Sequence, residues 1–179
     1  MKTLLLVKTA LDKTLEILVM VVVAVLVLDV LWQVFTRFII EDPSSWTEEL
    51  ATFLLIWVSL LGAAVALNRG AHLGIDYFVG KLSPKTRVCT EVFVFTCIAI
   101  FSVLVMVIGG FRLVARTFEL NQISPALNLK MGYVYLAVPI SGFFLALYAI
   151  LALGERIYEL TSGRTDRKPQ LTESAPEID

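Results

Sequence analysis

The chain has little charge, and this shortage removes whole classes of function. Only 17% of its 179 residues are Asp, Glu, Lys or Arg and 58% are hydrophobic, whereas soluble domains carry about 25% charged and about 45–50% apolar residues. A water-soluble globule is therefore disfavoured. The formal net charge of −1 leaves no basic excess of the kind that neutralises nucleic-acid phosphates, so nucleic-acid binding is disfavoured as well.

Ligands for a metal or redox centre are equally scarce. Cys89 and Cys97 lie eight residues apart in or beside one apolar run, which suits neither a disulfide framework nor a four-ligand zinc site. His72 is the only histidine, whereas haem-b spans usually need a pair of axial ligands. The sequence also lacks a nucleotide-binding loop, a nucleophile elbow, a zincin motif and a CxxC motif. We therefore expect no cofactor, no metal site and no enzymatic activity in this chain.

Four long apolar runs dominate the sequence. Each is long enough to cross a bilayer as a helix of about 20 residues. The predicted spans are residues 15–38, 48–67, 86–111 and 131–153. The first run exceeds the ~7–15 residues of a signal-peptide core and no cleavage site follows it, so we expect it to stay attached. The predicted fold class is an all-α integral membrane protein, with a four-helix membrane domain over residues 1–160 and a polar, disordered cytoplasmic tail over residues 161–179.

Lys and Arg are unevenly distributed between the two sides of the predicted membrane domain. Eleven of them lie in the N-terminal segment, the second connection and the tail, and four lie in the first and third connections. Because cytoplasmic segments carry the excess of Lys and Arg, both termini are predicted to be cytoplasmic.

The first connection ends in a signal for the start of the second helix. Ser45-Trp46-Thr47-Glu48 has the S-x-x-E spacing of a capping box, with Ser45 as the N-cap. Carboxylates near a helix N-terminus contribute about 0.3–1 kcal/mol, which is sufficient to explain Glu48. Two possibilities are equally open for Glu49: a contribution to the same helix end, or a contact with a partner at the outer face.

The second connection contains an amphipathic stretch. Its apolar residues recur at the i, i+3, i+4, i+7 spacing of a helix that is apolar on one side. They are Ile75, Phe78, Val79 and Leu82. We therefore predict a short helix that lies on the cytoplasmic membrane surface between the second and third spans.

The last two spans carry signs of irregular helices. No proline interrupts residues 85–121, and a helix of that length would measure about 55 Å. Because the hydrocarbon core is about 30 Å thick, this helix must tilt, protrude or bend at Gly109-Gly110. Pro139 removes one amide donor from the fourth span, so a kink is expected there.

Asp29 is the one formal charge inside the apolar cores of the predicted spans, residues 17–35, 50–67, 92–111 and 131–153, where an ionised carboxylate costs about 2.5–3.5 kcal/mol. Gln33 and Arg37 follow at i+4 and i+8 and share its helical face, so Arg37 can reach the outer surface. The three residues predict either an ion or proton site, or a polar seam against another helix or subunit. One carboxylate without a second acid is a poor cation cage, so the seam is favoured.

The aromatic and small residues of the spans predict membrane-surface and helix-packing contacts rather than a catalytic site. Trp32, Trp46 and Trp57 are typical of aromatic anchors at membrane surfaces, with Trp46 best placed for the outer belt. Gly62-Ala63-Ala64-Val65-Ala66 offers a small-residue face on which another helix can approach closely. No internal repeat is present, which argues against a transporter contained in this chain alone.

Several short motifs follow one another over most of residues 30–145. The first group is Gln33-Val34-x-x-Arg37, Pro43-x-x-Trp46-Thr47-Glu48-Glu49-Leu50, Ile56-Trp57, Gly62-Ala63-Ala64 and Arg69-Gly70-Ala71-His72-Leu73-Gly74-Ile75-Asp76. The second group is Ser124-Pro125-Ala126-Leu127 with Tyr133, Tyr135 and Pro139. In this order and spacing they resemble the small permease subunit of tripartite ATP-independent periplasmic (TRAP) transporters, the DctQ type.

The resemblance implies a function that composition alone does not. It implies a bacterial inner-membrane scaffold subunit that supports a large permease of the DctM type. With a periplasmic substrate-binding protein, such systems take up organic acids such as dicarboxylates or sialic acid by sodium symport. The substrate and sodium sites are then expected in the large subunit.

The same resemblance implies which residues contact partners. The positions that match the family motifs are Arg37, Trp46, Glu48, Glu49, Trp57, Gly62, His72 and Asp76. Gln33, Arg69 and Asp29 complete the predicted set of partner contacts, although Asp29 lies outside the family pattern.

Two other functions stay open at this point. A stand-alone, proton-coupled small-molecule exporter would use Asp29 as its acid. An anchor subunit of a quinone-linked oxidoreductase would fit the four spans, but the single histidine argues against it.

Overall fold

The computed structural model describes residues 2–42, 44–69 and 84–162. The first two helices are α1 (Lys2–Phe35), which continues as a π-helical turn (Thr36–Ile40), and α2 (Ser45–Asn68). Next, α3 (Pro84–Phe101) continues through a π-helical segment (Ser102–Gly109) into α4 (Gly110–Glu119). The chain ends in α5 (Met131–Tyr135) and α6 (Ala137–Ser162).

Four continuous helical stretches are long and apolar enough to cross a membrane, which confirms the predicted fold class. They are span 1 (Leu11–Ile40), span 2 (Ser45–Asn68), span 3 (Val88–Glu119) and span 4 (Met131–Ile157). Each of the four spans is longer than predicted at one end or both, because helical backbone hydrogen bonding continues beyond the apolar residues. The predicted surface helix at residues 75–82 and the tail beyond Ser162 lie outside the described residues.

The predicted N-cap of α2 is wrong by one residue. Ser44 is the N-cap, with extended backbone (φ −78°, ψ 117°), and Ser45 is already helical. Thr47 Oγ1 lies 2.8 Å from the Ser44 hydroxyl and donates a 2.8 Å hydrogen bond to the Ser44 carbonyl. Thr47 therefore occupies the third helical position, where a capping box has Glu or Gln. Glu48 lies one residue further on and is exposed.

The boundary between the two helices of span 4 lies close to its proline, and the kink expected there stays a prediction. The boundary residue is Leu136, between α5 and α6 and three residues before Pro139. The Leu136 amide donates to the Gly132 carbonyl and the Ile140 amide donates to the Leu136 carbonyl, both at 3.2 Å. The irregular position therefore lies within the turn from which Pro139 removes a donor. In span 3, the change from π-helical to α-helical winding falls at Gly109-Gly110.

Glycines bring spans 3 and 4 into close contact. A Cβ on Gly142 would lie 2.5 Å from Met106 Cβ, and one on Gly132 would lie 2.6 Å from the Phe118 ring. Because lipid is as apolar as the side chains, close packing of this kind is a main source of attraction between helices in a bilayer.

The spans lie in the order 1, 2, 4, 3 across the structure. Helix α1 packs along α2, α2 packs on α6, and α6 packs on α3 and the π-helical segment that follows it. Spans 2 and 4 are therefore central, and spans 1 and 3 form the edges. A buried cluster joins spans 1, 2 and 4; it contains Leu15, Leu61, Ala64, Leu67, Tyr148 and Ala149.

Candidate functional site

Polar side chains gather at the two ends of the spans. The terminal end carries the start of span 1 and the end of span 4, and the loop end carries the connections at residues 41–44 and 120–130. At the terminal end, the Tyr148 hydroxyl donates to Asp12 Oδ1 at 2.7 Å and joins α6 to α1. Arg156 Nε lies 2.8 Å from Glu91 Oε2 and joins α6 to α3. Side-chain pairs thus hold both edge helices to span 4.

Arg69, predicted as a partner contact, forms an ion pair within the chain. Its Nη2 lies 2.9 Å and its Nε 3.0 Å from Glu16 Oε1, which joins the end of α2 to α1. The two side chains are 63% and 32% exposed, so the pair contributes on the order of 0.2–1 kcal/mol. A contact between Arg69 and a partner chain stays a prediction.

These terminal-end pairs were not predicted from the sequence. Such a pair would be recognised in the sequence as an acid and a hydrogen-bond donor at the same depth in two neighbouring spans, as with Asp12 and Tyr148. Recognising it requires knowing which spans are neighbours, and apolar periodicity does not give this because lipid-facing and helix-facing residues are both apolar.

At the loop end, Glu49 binds the connection between spans 3 and 4. Its Oε2 accepts hydrogen bonds from the backbone amides of Ala126 and Leu127, both at 2.9 Å. Two successive amides directed at one oxygen form a small anion-binding concavity. Glu49 is half-buried while its neighbour Glu48 is exposed. Glu49 thus has an intrachain contact, and its contact with a partner chain stays a prediction.

The connection bound by Glu49, residues 120–130, also holds its shape through its own backbone. The Ser124 amide donates to the Leu129 carbonyl at 2.8 Å, and the Asn128 amide donates to the Ser124 carbonyl at 3.1 Å. Asn121 and Asn128 have φ angles of 46° and 54°, in the left-handed region that Asn adopts more readily than most residues. This connection, called the 120–130 loop below, is a defined structure.

Asp29 lies on α1, the helix that packs along α2. It is 6% exposed, and neither carboxylate oxygen has a hydrogen-bond partner among the described residues. Gln33 is half-buried one turn further on, and the buried Thr36 donates its hydroxyl to the Gln33 carbonyl at 3.0 Å. Arg37 is exposed, with its guanidinium carbon 5.8 Å from the centre of the Phe38 ring. Asp29 and Gln33 are thus shielded from solvent one helical turn apart, and Arg37 is exposed.

The remaining predicted contacts differ in their surroundings. Trp46 is exposed, and Trp57 packs against the buried cluster of spans 1, 2 and 4. A Cβ on Gly62 would meet no atom within 4 Å, so span 2 is open to another helix at that point. His72 and Asp76 lie outside the described residues. In the parts of the chain that are described, no three His, Cys, Asp or Glu side chains form a group that could hold a metal ion.

Comparison with known proteins identifies the family. The family described as tripartite ATP-independent periplasmic transporters, DctQ component, matches residues 26–158. The chain is 28% identical over 145 residues to the sialic acid TRAP transporter small permease protein SiaQ of Vibrio cholerae, covering 81% of this chain and 80% of that protein. It is 31% identical over 94 residues to the C4-dicarboxylate TRAP transporter small permease protein DctQ of Rhodobacter capsulatus, covering 52% and 41%.

A longer protein matches as well. The chain is 29% identical over 96 residues to the isethionate TRAP transporter permease protein DctMQ of Oleidesulfovibrio alaskensis, covering 54% of this chain and 15% of that protein. The family match runs from the middle of span 1 to the end of span 4. The chain therefore belongs to the DctQ family of TRAP transporter components and is a multi-pass protein of the inner membrane.

Proposed function

We propose that the chain is the small scaffold subunit of a TRAP transporter and that it supports a large permease subunit of the DctM type. The observation that carries this proposal is the family match over residues 26–158, which includes most of the membrane domain. The same match favours this function over a stand-alone exporter. A scaffold needs no catalytic group, so we include in the proposal that the chain is not an enzyme and performs no transport alone.

The arrangement of acids supports a scaffold rather than an ion pathway. Asp12, Glu16 and Glu91 join helices at the terminal end. Glu49 binds the 120–130 loop, Asp29 is buried in span 1, and no three His, Cys, Asp or Glu side chains of the described residues form a group that could hold a metal ion. Because cation sites in proteins gather several oxygen ligands, this separation favours sodium and substrate sites in the large subunit and no cofactor in this chain.

The proposed substrate is an organic acid. Sialic acid, C4-dicarboxylates and isethionate occur in the names of three relatives, and all of them are organic acids. Coupling to sodium and delivery by a periplasmic substrate-binding protein belong to the same proposal. The excess of Lys and Arg in the N-terminal segment, the second connection and the tail supports a cytoplasmic terminal end and an outward-facing loop end.

The exposed members of the predicted contact set are the proposed contacts with the large subunit. They are Arg37, Trp46, Glu48 and Arg69, together with the open Gly62. Asp29, Gln33 and Trp57 are turned toward this chain's own helices, so we propose that they support those contacts from within.

Co-expression with the large TRAP permease of the same bacterium tests this function. An affinity tag on the chain is expected to recover the large permease in about equimolar amount from membranes solubilised in mild detergent. The result that contradicts the proposal is recovery of this chain alone from membranes in which the large permease is present and folded.

A further inference from the structure

Glu49 and the 120–130 loop form a unit at the loop end. The bonds from the Ala126 and Leu127 amides to Glu49 Oε2, both 2.9 Å, attach the first turns of span 2 to the connection between spans 3 and 4. Because one carboxylate oxygen receives both amides, a single side chain of span 2 makes both of these hydrogen bonds to the loop.

The loop held in this way exposes large apolar side chains beside the membrane domain. Leu120, Ile123 and Leu129 are 65%, 54% and 44% exposed. Their positions are fixed, since Ile123 pairs with Lys130 in an antiparallel bridge and the Leu129 carbonyl accepts from the Ser124 amide. Clustered apolar side chains on a loop that connects two spans indicate an interaction surface.

The character of this surface points to a permanent partner. Lasting interfaces are more apolar than transient ones, and a loop already shaped by hydrogen bonds loses little conformational entropy on binding. The large permease shares the bilayer and stays bound in the proposed complex. A soluble binding protein that docks and leaves would favour a more polar surface.

We propose that Glu49 is a positioning residue, which holds the 120–130 loop against span 2 in the place from which Leu120, Ile123 and Leu129 dock on the large permease subunit. This inference rests on the proposed function, because it presupposes a complex with that subunit. It differs from a direct ion pair between Glu49 and a basic group of the partner. Positioning requires an acceptor oxygen, whereas an ion pair requires the negative charge.

Two substitutions of Glu49 separate these roles. Glu49→Gln keeps an oxygen that accepts both amides and removes the charge, whereas Glu49→Ala removes the acceptor. In co-purification with the large permease, Glu49→Gln is expected to stay within about twofold of the wild type. Glu49→Ala is expected to lower recovery about tenfold, the equivalent of about 1.4 kcal/mol. Asp42→Ala, at another exposed acid of the loop end, is the control and is expected to match the wild type.

Each outcome bears on one claim. Wild-type recovery with Glu49→Ala overturns the positioning role and leaves the proposed function intact. An equal loss with Glu49→Gln and Glu49→Ala overturns it in favour of an ion pair with the partner. If the wild-type chain itself recovers no large permease, the proposed function fails and this inference fails with it.

Substitutions on the loop surface keep the test independent of folding. The combined variant Ile123→Ser and Leu129→Ser changes exposed side chains and keeps the backbone bonds of the loop. It is expected to lower recovery of the large permease about tenfold while its membrane level and melting temperature stay at wild-type values. Gln122→Ser, an exposed polar position of the same loop, is the matched control. Unchanged recovery with the double variant would show that lipid or water covers the loop and would overturn the proposal.

Discussion

Spans 1 and 4 are both apolar helices, yet they are held in the structure by different means. Span 4 buries 39% of its most apolar stretch within the chain, and span 1 buries only 6%. Span 4 lies between spans 2 and 3 and packs small residues such as Gly142 and Ala149 against them. Span 1 lies at an edge and packs along span 2. Close packing against neighbours on two sides therefore fixes the central helix, whereas packing on span 2 and polar contacts at the terminal end fix the edge helix.

Enlarging a glycine of span 4 is expected to have the largest effect on stability. In Gly142→Ala the added Cβ would lie 2.5 Å from Met106 Cβ, so spans 3 and 4 must separate at a cost of about 1–3 kcal/mol. Gly62→Ala, where a Cβ meets no atom within 4 Å, is the matched control. It should be neutral or stabilise the helix by up to about 1 kcal/mol. Equal melting temperatures for the two variants in detergent would contradict the comparison of the spans.

Removing the hydroxyl that joins span 4 to span 1 is expected to have the next largest effect. Tyr148→Phe deprives Asp12 of a donor at 2.7 Å, and we expect a loss of about 1–2 kcal/mol in the free energy of unfolding. Tyr133→Phe, at an exposed tyrosine of the same span, is the control for loss of a hydroxyl. If thermal melting does not distinguish the two variants, the Tyr148 hydroxyl does not hold the edge helix.

Replacing the buried acid of span 1 is expected to stabilise the isolated chain. Both oxygens of Asp29 lack a hydrogen-bond partner among the described residues, and an unsatisfied buried polar group is costly. Asp29→Leu should therefore raise the free energy of unfolding by about 1 kcal/mol, and Asp29→Asn, which stays polar, should change it little. A lower melting temperature for Asp29→Leu would instead show that the carboxylate has a ligand.

Breaking the exposed ion pair at the end of span 2 should have the smallest effect. Arg69→Gln removes the 2.9 Å contact with Glu16 and is expected to cost less than about 1 kcal/mol, because water competes for both side chains. The difference from the wild type should shrink in 0.5 M salt, since salt screens exposed charges. A larger, salt-independent loss of melting temperature would mean that the pair is shielded from water.

Much of the fold follows from the sequence because a bilayer imposes simple requirements. Apolar runs of about 20 residues locate the four spans, and the missing amide of Pro139 locates the irregular turn at Leu136. The N-cap of span 2 was missed because the S-x-x-E spacing selects Ser45, whereas the helix begins one residue earlier with Ser44 as N-cap and Thr47 bonded to it.

The candidate site was harder to predict because it depends on long-range contacts. Glu49 was identified as a functional candidate from its place beside a helix start, but Ala126 and Leu127, which bind it, lie 77 and 78 residues further along the chain. No periodicity connects such positions. The polar seam favoured for Asp29 and Gln33 is consistent with their burial in the packing of spans 1 and 2, because a polar residue in an apolar run has a distinct helical face.

Sodium-driven uptake by proteoliposomes tests most directly the claim that this chain supports transport without performing it. Vesicles that contain the chain and the large permease, supplied with the periplasmic binding protein and an organic acid, are expected to accumulate the acid when a sodium gradient is imposed. Vesicles that contain this chain alone are expected to match empty vesicles. Uptake by the chain alone that disappears when the sodium gradient is collapsed would contradict the account.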